Sequence, residues 1–280
     1  MTPAKAPPEI FDTQRLSQAR QRAAKRQKSF LLERCIEDLS ERLLDVNRNF
    51  ENALIIGDNL PIGDVLSHLQ SDKITKLSSC NGVMDLPPET DFDLVISLLR
   101  LQSENDLPGA VIQMRQKLRP DGLFLGAVFG GDTLMELRQV FYKTDEALLG
   151  GLAPHIYPMA SYSQLASLLS RAGLNQPVID TDRFKVSYSA LKTLVSDLRD
   201  LGETNALLSR SSKLMTPNYW RTLERYYAKH YARADGKLTS SFEILWLTGW
   251  APHESQQKPL KPGSAKMRLE DAINNTRQSN

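Results

Sequence analysis

The stretch Phe92-Asp-Leu-Val-Ile-Ser-Leu-Leu99, followed by Asp106-Leu-Pro108 and then Leu123-Phe-Leu-Gly-Ala-Val-Phe129, reads as strand, helix, strand. Residues 92–99 are apolar almost throughout, the pattern of a strand covered on both faces of a parallel sheet. Asp106 suits a helix N-cap and Pro108 the first turn, which predicts a helix over 106–118. Arg119-Pro-Asp-Gly122 carries turn chemistry, and 123–129 is a second buried strand.

The alternation continues in both directions. Upstream, 53–56 is a short apolar strand ending at Gly57, 60–70 reads as a helix, and 73–79 as a weaker strand. Downstream, Gly130-Gly-Asp132 is a tight turn, with Asp132 placed to cap a helix through Arg138. A helix over 162–172 stops at Gly173, and 178–188 alternates like a strand. Helices follow at about 189–201 and 217–232, and 238–250 is the last strand. Alternating strands and helices imply an α/β, doubly wound, Rossmann-like sheet, and the late strand pair implies an antiparallel edge with added helices.

Residues 12–46 read as one or two helices. Six basic residues (Arg15, Arg20, Arg22, Lys25, Arg26, Lys28) fall there between 15 and 28 without an acid. The plain expectation is a solvated helix face; contact with anionic lipid or nucleic acid is the alternative. The expected organisation is a flexible tail at 1–10, a basic helical segment at 11–50, one domain at 51–255 with a helical insertion at about 189–235, and a disordered tail at 256–280.

The 280 residues carry 35 Lys+Arg against 33 Asp+Glu, a net charge of +2 that selects no class of partner. Hydrophobic residues at 41% suffice for a core and exclude a mainly disordered chain. Two cysteines, Cys35 and Cys80, exclude a disulfide framework and a cysteine-based zinc site. The longest apolar runs, 94–99 and 123–129, are far short of the ~20 residues a spanning helix needs. No export signal is visible, so the expected location is the cytoplasm, with peripheral contact at the inner membrane through the basic helix.

Ligands of doubly wound sheets bind beyond the carboxyl ends of the strands. Here those ends are Gly57-Asp-Asn59, 79–81 with Asn81, Ser97-Leu-Leu99 and Gly130-Gly-Asp132. Gly57 and Gly63 flank the first turn, where glycine permits close backbone approach. Asn81 offers a hydrogen bond to a hydroxyl, and Asp85 lies a little further on. Gly130 and Gly131 leave room for a substrate, with Asp132 at the mouth. Of the four histidines, His155 follows Gly150-Gly-Leu-Ala-Pro154 and His253 precedes Glu254. A two-histidine, one-carboxylate iron site could be drawn from His155, His253 and Glu254, but no spacing compels it, and no metal is expected.

Several stretches together resemble the methyltransferase-fold assembly factors of respiratory complex I, the protein-arginine hydroxylase type. They are Phe11-Asp-Thr13, Thr90-Asp-Phe-Asp-Leu-Val-Ile-Ser97, Asn105-Asp-Leu-Pro108, residues 118–138, Gly150-Gly-Leu-Ala-Pro-His-Ile-Tyr-Pro158, Gly202-Glu-Thr-Asn205 and His253-Glu-Ser-Gln256. The resemblance spans roughly residues 11–265, and Phe129-Gly-Gly-Asp-Thr-Leu134 and the late His-Glu-Ser-Gln are its specific parts. It implies the class I S-adenosylmethionine-dependent methyltransferase fold and a bacterial member of the family. It also implies a partner, the iron–sulfur subunit of the complex I quinone module, and no nucleic acid.

S-adenosylmethionine is the implied cofactor, against Gly57, Asp58, Asn59, Gly63, Asn81, Asp85 and Ser97. The implied substrate side is Gly130, Gly131, Asp132, His155, His253 and Glu254, with Asp132 and His155 as catalytic candidates. The chain departs from the family pattern at the cofactor loop. Ile55 stands at the acid position, Asn59 at a glycine, and Gln102-Ser103 at a His-Trp pair. The expected function is therefore a methyltransferase-like assembly factor that hydroxylates an arginine. The alternatives are a non-catalytic assembly chaperone and a conventional methyltransferase.

Overall fold

Asp12 starts the first helix, α1 (Thr13–Ala24), by accepting the Arg15 N–H at 3.0 Å. Ser29 caps α2 (Phe30–Asp45), and that helix buries Leu31, Leu32, Cys35, Ile36, Leu39 and Leu43 along one stripe. The computed structural model describes residues 8–26, 29–46, 48–57, 73–77, 86–211 and 214–257. The helix expected at 60–70 lies outside them.

The sheet holds β1 (Asn52–Ile56), β2 (Lys73–Leu77), β3 (Phe92–Leu98), β4 (Leu118–Phe129), β5 (Asn175–Tyr188) and β6 (Leu238–Trp250). Their order is β2-β1-β3-β4-β6-β5. β2, β1, β3 and β4 are parallel, whereas β6 runs antiparallel between β4 and β5. This is the class I methyltransferase arrangement: a doubly wound sheet, a switch point between β1 and β3, and a reversed strand near one edge.

The remaining helices are α3 (Leu107–Lys117), α4 (Met135–Leu149), α5 (Tyr162–Arg171), α6 (Leu191–Asp200) and α7 (Pro217–Tyr231). One face of the sheet is covered by α2, α4, α6 and α7, through residues such as Leu39, Val140, Leu194 and Leu223. The other is covered by α3 and α5, through Val111, Met114, Leu165 and Leu169. β3 is buried at every position, as its unbroken apolar run predicts. Asp93 is its charged residue: the carboxylate accepts the Glu51 and Asn52 N–H groups at 2.6 and 3.0 Å and pairs with Arg119 at 3.2 Å. A buried charge is tolerated when it is this fully partnered.

Two local expectations are corrected. The turn at 119–122 is a bulge inside β4: Leu118 pairs with Phe92 and Leu123 with Leu94, while Asp121 takes a φ of +64° in the looped-out piece. Asp132 does not cap a helix. The chain turns through Leu134 at φ +57°, and α4 starts at Met135 and continues past Arg138 to Leu149. Gly130, Asp132, Thr133 and Leu134 are instead bonded to β6.

Candidate functional site

Of the first-loop residues, Gly57 is described; its N–H donates to the Leu77 carbonyl at 3.1 Å, joining the ends of β1 and β2. Asp58, Asn59, Gly63, Asn81 and Asp85 lie outside the described residues. At the end of β3 the Ser97 hydroxyl is buried without a hydrogen-bond partner. Arg100, 3% exposed, follows after Leu99, whose φ is +49°.

The Gly-Gly-Asp-Thr turn owes its residues to Glu243 on β6. A Cβ on Gly130 would sit 2.3 Å from the Glu243 carboxylate, so any larger residue there would have to displace that buried side chain. That carboxylate, from a buried residue, accepts the Asp132 N–H at 3.0 Å and Arg183 at 2.7 Å. The Thr133 hydroxyl donates to the Glu243 carbonyl at 2.9 Å and accepts the Glu243 N–H at 3.0 Å. The Asp132 carboxylate is 61% exposed and lies 3.5 Å from Arg183, at the sheet edge. The turn is a rivet between β4 and β6; Gly131 lines a cleft, and Asp132 faces Arg183 instead.

His155 is built in more deeply. Asp145, on α4, has a fully buried side chain, and its carboxylate accepts the Ala153 N–H at 2.9 Å, His155 Nε2 at 3.0 Å and the Tyr219 hydroxyl of α7. The imidazole stacks on Phe141 with centroids 4.1 Å apart and planes at 12°. A carboxylate can only accept, so the proton is assigned to Nε2, which leaves Nδ1 as an acceptor in the neutral ring. Burial, then the bond to Asp145, pushes the Tyr219 phenol well above its usual range. Two clefts, of about 460 and 580 Å³, meet at this ring and share Phe141, His155, Ile156, Tyr157 and Met159.

The larger cleft is a groove beneath α1 and α6. Its walls include Leu134, Leu137, Val195, Leu198 and Trp220; its rim carries Arg15, Arg22, Arg26 and Arg199. Glu203 is the one carboxylate residue among the described lining residues. Burial raises the Glu203 pKa, while Arg20, Arg100 and the Gln102 amide, which donates at 3.0 Å, oppose the rise. The basic run of α1 is therefore not one solvated face. Arg20 is 1% exposed and reaches Ser103 Oγ at 2.5 Å, and its neighbours turn to the groove.

Four of the quoted stretches converge beside this groove. Asn105 Oδ1 accepts the Ile10 and Phe11 N–H groups, both at 2.8 Å, and Phe11 packs edge-on against Tyr157 at 4.9 Å. Asn205 donates to the Pro154 carbonyl at 2.8 Å and accepts Arg15 Nε at its own carbonyl at 3.0 Å. These polar side chains fasten the start of α1 over the carboxyl end of β4.

Glu104 lies in the same region, and burial pushes its carboxyl up to about 7, with Arg20 opposing. A carboxyl with a folded pKa above its unfolded value binds its proton more tightly when folded, so its contribution to stability falls as pH rises from about 4.5 to about 7. Glu104→Gln is accordingly expected to be near neutral at pH 4.5 and to stabilise the chain by about 2–3 kcal/mol at pH 8. Urea melts of both proteins at the two pH values measure this; a pH-independent difference would contradict it.

His253 and Glu254 do not join the site. Because β6 is antiparallel, Trp250 lies opposite Leu123 and Ile244 opposite Phe129, so residues after 250 emerge at the amino ends of the parallel strands. Six residue steps along a strand are about 20 Å. There His253 Nδ1 meets Ser255 Oγ at 2.7 Å, while Gln256 donates to Asp121 at 2.9 Å and to the Ala251 carbonyl at 2.8 Å. Arg48 completes this clasp on Asp121 at 2.8 Å. His155 and His253 thus occupy opposite rims of the sheet. Asp145 and Tyr219, which the pattern did not single out, and Arg20 and Glu203, which it carried only within the basic run and the Gly202–Asn205 stretch, are brought together around His155 and the groove by the folded chain.

No family model matches the chain. Among curated proteins, the mitochondrial arginine-hydroxylase NDUFAF5 of Danio rerio is 34% identical over 264 residues, 86% of this chain and 81% of that protein. The malonyl-[acyl-carrier protein] O-methyltransferase of Xylella fastidiosa is 38% identical over 164 residues, 59% of this chain and 53% of that protein. Among solved structures, the phosphoethanolamine N-methyltransferase 2 of Haemonchus contortus superposes with a TM-score of 0.42 at 15% identity, covering 78% of this chain and 53% of that one.

Proposed function

The chain belongs to the arginine-hydroxylase NDUFAF5 family, and from that premise we propose that it acts on an arginine side chain of a partner protein during assembly of respiratory complex I. The observation that carries this reading is Glu203 on the floor of the groove, partly open to it and walled by apolar side chains. A guanidinium has a planar fork that pairs with a carboxylate, and an apolar stem suited to such walls. Arg20 and Arg100 hold Glu203 toward its ionised form against burial. His155, fixed by Asp145 and Phe141, lines the same groove. Residues 51–255, with the insertion at about 189–235, are the catalytic body in this reading, and α1 closes the groove from one side.

The partner is the iron–sulfur subunit of the quinone module. The fold implies S-adenosylmethionine as cofactor, and the unpartnered buried Ser97 hydroxyl is a polar atom such a ligand could satisfy. Gly57 and Ser97 would hold it, together with Asp58, Asn59, Gly63, Asn81 and Asp85. When bound, the group supplies an activated methyl sulfonium beside an adenosine. Among the described residues no helix is long and apolar enough to cross a membrane.

Calorimetric titration with S-adenosylmethionine and S-adenosylhomocysteine, joined to mass spectrometry of the subunit from cells with and without the protein, tests the proposal. The expected results are a micromolar dissociation constant and one added oxygen on an arginine, absent in the deletion; the methyl sulfonium cannot supply that oxygen, so the reaction would draw it from molecular oxygen, with a two-electron reductant taking the second oxygen atom to water. An unmodified subunit with a complex I defect still present would replace the enzyme with an assembly chaperone, which the altered first loop (Ile55 and Asn59) would accommodate.

A further inference from the structure

We propose that the arginine rim of the groove reads an acidic residue flanking the target side chain, so that the substrate is an acidic and apolar segment of a partner protein. The inference rests on the reading above for the identity of the target, but the rim itself argues for an anion. Of the four rim arginines, two are occupied within the fold. Arg26 pairs with Asp200 at 2.7 Å, and Arg15 Nε donates to the Asn205 carbonyl at 3.0 Å, both fastening α1 to the chain around 200–205. The side chains of Arg22 on α1 and Arg199 on α6 are exposed and make no hydrogen bond or ion pair among the described residues.

Two unpaired cations on facing helices repel each other and add a positive field to one edge of a recess whose walls are largely apolar. Such a field favours an anion at the rim, while Leu134, Leu137, Val195, Leu198, Met159 and Trp220 favour an apolar neighbour below it. A cleft of about 580 Å³ accommodates a few side chains rather than a folded domain. A membrane surface suits this geometry less well. Arg15, Arg22 and Arg26 line a recess and Arg20 is inside the protein, so these four form no flat basic plane.

The test uses the full chain and two degenerate, acetylated heptapeptide libraries, one with arginine and one with glutamine fixed at the centre. Wild-type protein is expected to enrich Asp and Glu at one or more flanking positions. Arg22→Gln/Arg199→Gln should lower that enrichment about tenfold, with a melting temperature unchanged within a few degrees. Arg22→Glu/Arg199→Glu should invert it toward Lys and Arg.

Absence of peptide capture, no acidic enrichment, or equal enrichment by the double glutamine variant would overturn the proposal. So would binding to phosphatidylglycerol vesicles that falls in that variant while peptide preference does not. Acidic enrichment that persists unchanged in the glutamine-centred library would uphold the rim and overturn the arginine target. A preference for central arginine without flanking acids would do the reverse.

Discussion

Asp145→Ala is expected to destabilise the folded chain by about 3–5 kcal/mol, lowering the melting temperature by roughly 10 °C for a protein of this size. The carboxylate is the shared acceptor for the Ala153 N–H, His155 and Tyr219, which belong to two separate parts of the chain, the 150–158 loop and α7. Alanine removes the fully buried acceptor that all three share, and leaves Tyr219 and His155 only each other, at 3.3 Å. Each unsatisfied buried donor costs about 1–3 kcal/mol, and relaxation of the 150–158 loop recovers part of the total. Asp145→Asn keeps one acceptor oxygen and should lose roughly half as much. His155→Ala leaves the other two bonds in place, and should be the mildest of the three. Chemical denaturation of the set checks the order. A loss below about 1 kcal/mol for Asp145→Ala would mean that solvent reaches the site and that Asp145 does not orient His155.

The same site shows where sequence pattern runs out. The parallel half of the sheet is legible because β3 and the 123–129 part of β4 are apolar on both faces, and because Asp106 and Gly173 mark helix ends by local chemistry. The partnerships of Asp145 are not local. It sits in Thr144-Asp-Glu-Ala147, an ordinary helical stretch, and its partners lie 8, 10 and 74 residues away. Nothing in its neighbours distinguishes it from a solvated helix acid.

Gly130-Gly-Asp-Thr133 errs in the other direction. The pattern is specific, but the close approach that demands Gly130 comes from Glu243 of an adjacent strand and not from a ligand. His253 and Glu254 depend on a sign. A strand pattern over 238–250 does not state its direction, and with β6 reversed these residues emerge at the amino ends of the parallel strands. The basic run over 15–28 is the last case: helical spacing sends Arg20 inward to Ser103 and Arg15, Arg22 and Arg26 to a groove that exists only once α6 has docked.

Glu203→Gln is the substitution expected to separate function from stability most sharply. Glutamine keeps the shape and the acceptor toward Gln102, but it cannot form a charge-assisted fork with a guanidinium. Hydrogen bonds to a charged partner contribute about 1.5–3 kcal/mol each. Two of them correspond to a loss of roughly 100-fold or more in arginine modification.

Stability should move the other way. Burial is the largest influence on Glu203 and its net effect is upward, outweighing Arg20, Arg100 and the Gln102 bond. The ionised carboxylate is therefore a net cost to the fold at neutral pH. A folded pKa above the unfolded value means that this cost is absent below the unfolded pKa and grows as pH rises through the folded one. The variant should melt at or above the wild-type temperature at pH 8, and the gap should close toward pH 4.5. Mass spectrometry of the partner subunit, paired with melts across that range, reads both halves at once. Full modification by Glu203→Gln would remove the carboxylate from substrate recognition. A variant less stable at pH 8 than at pH 4.5, relative to wild type, would mean that the two guanidiniums and not burial govern the site.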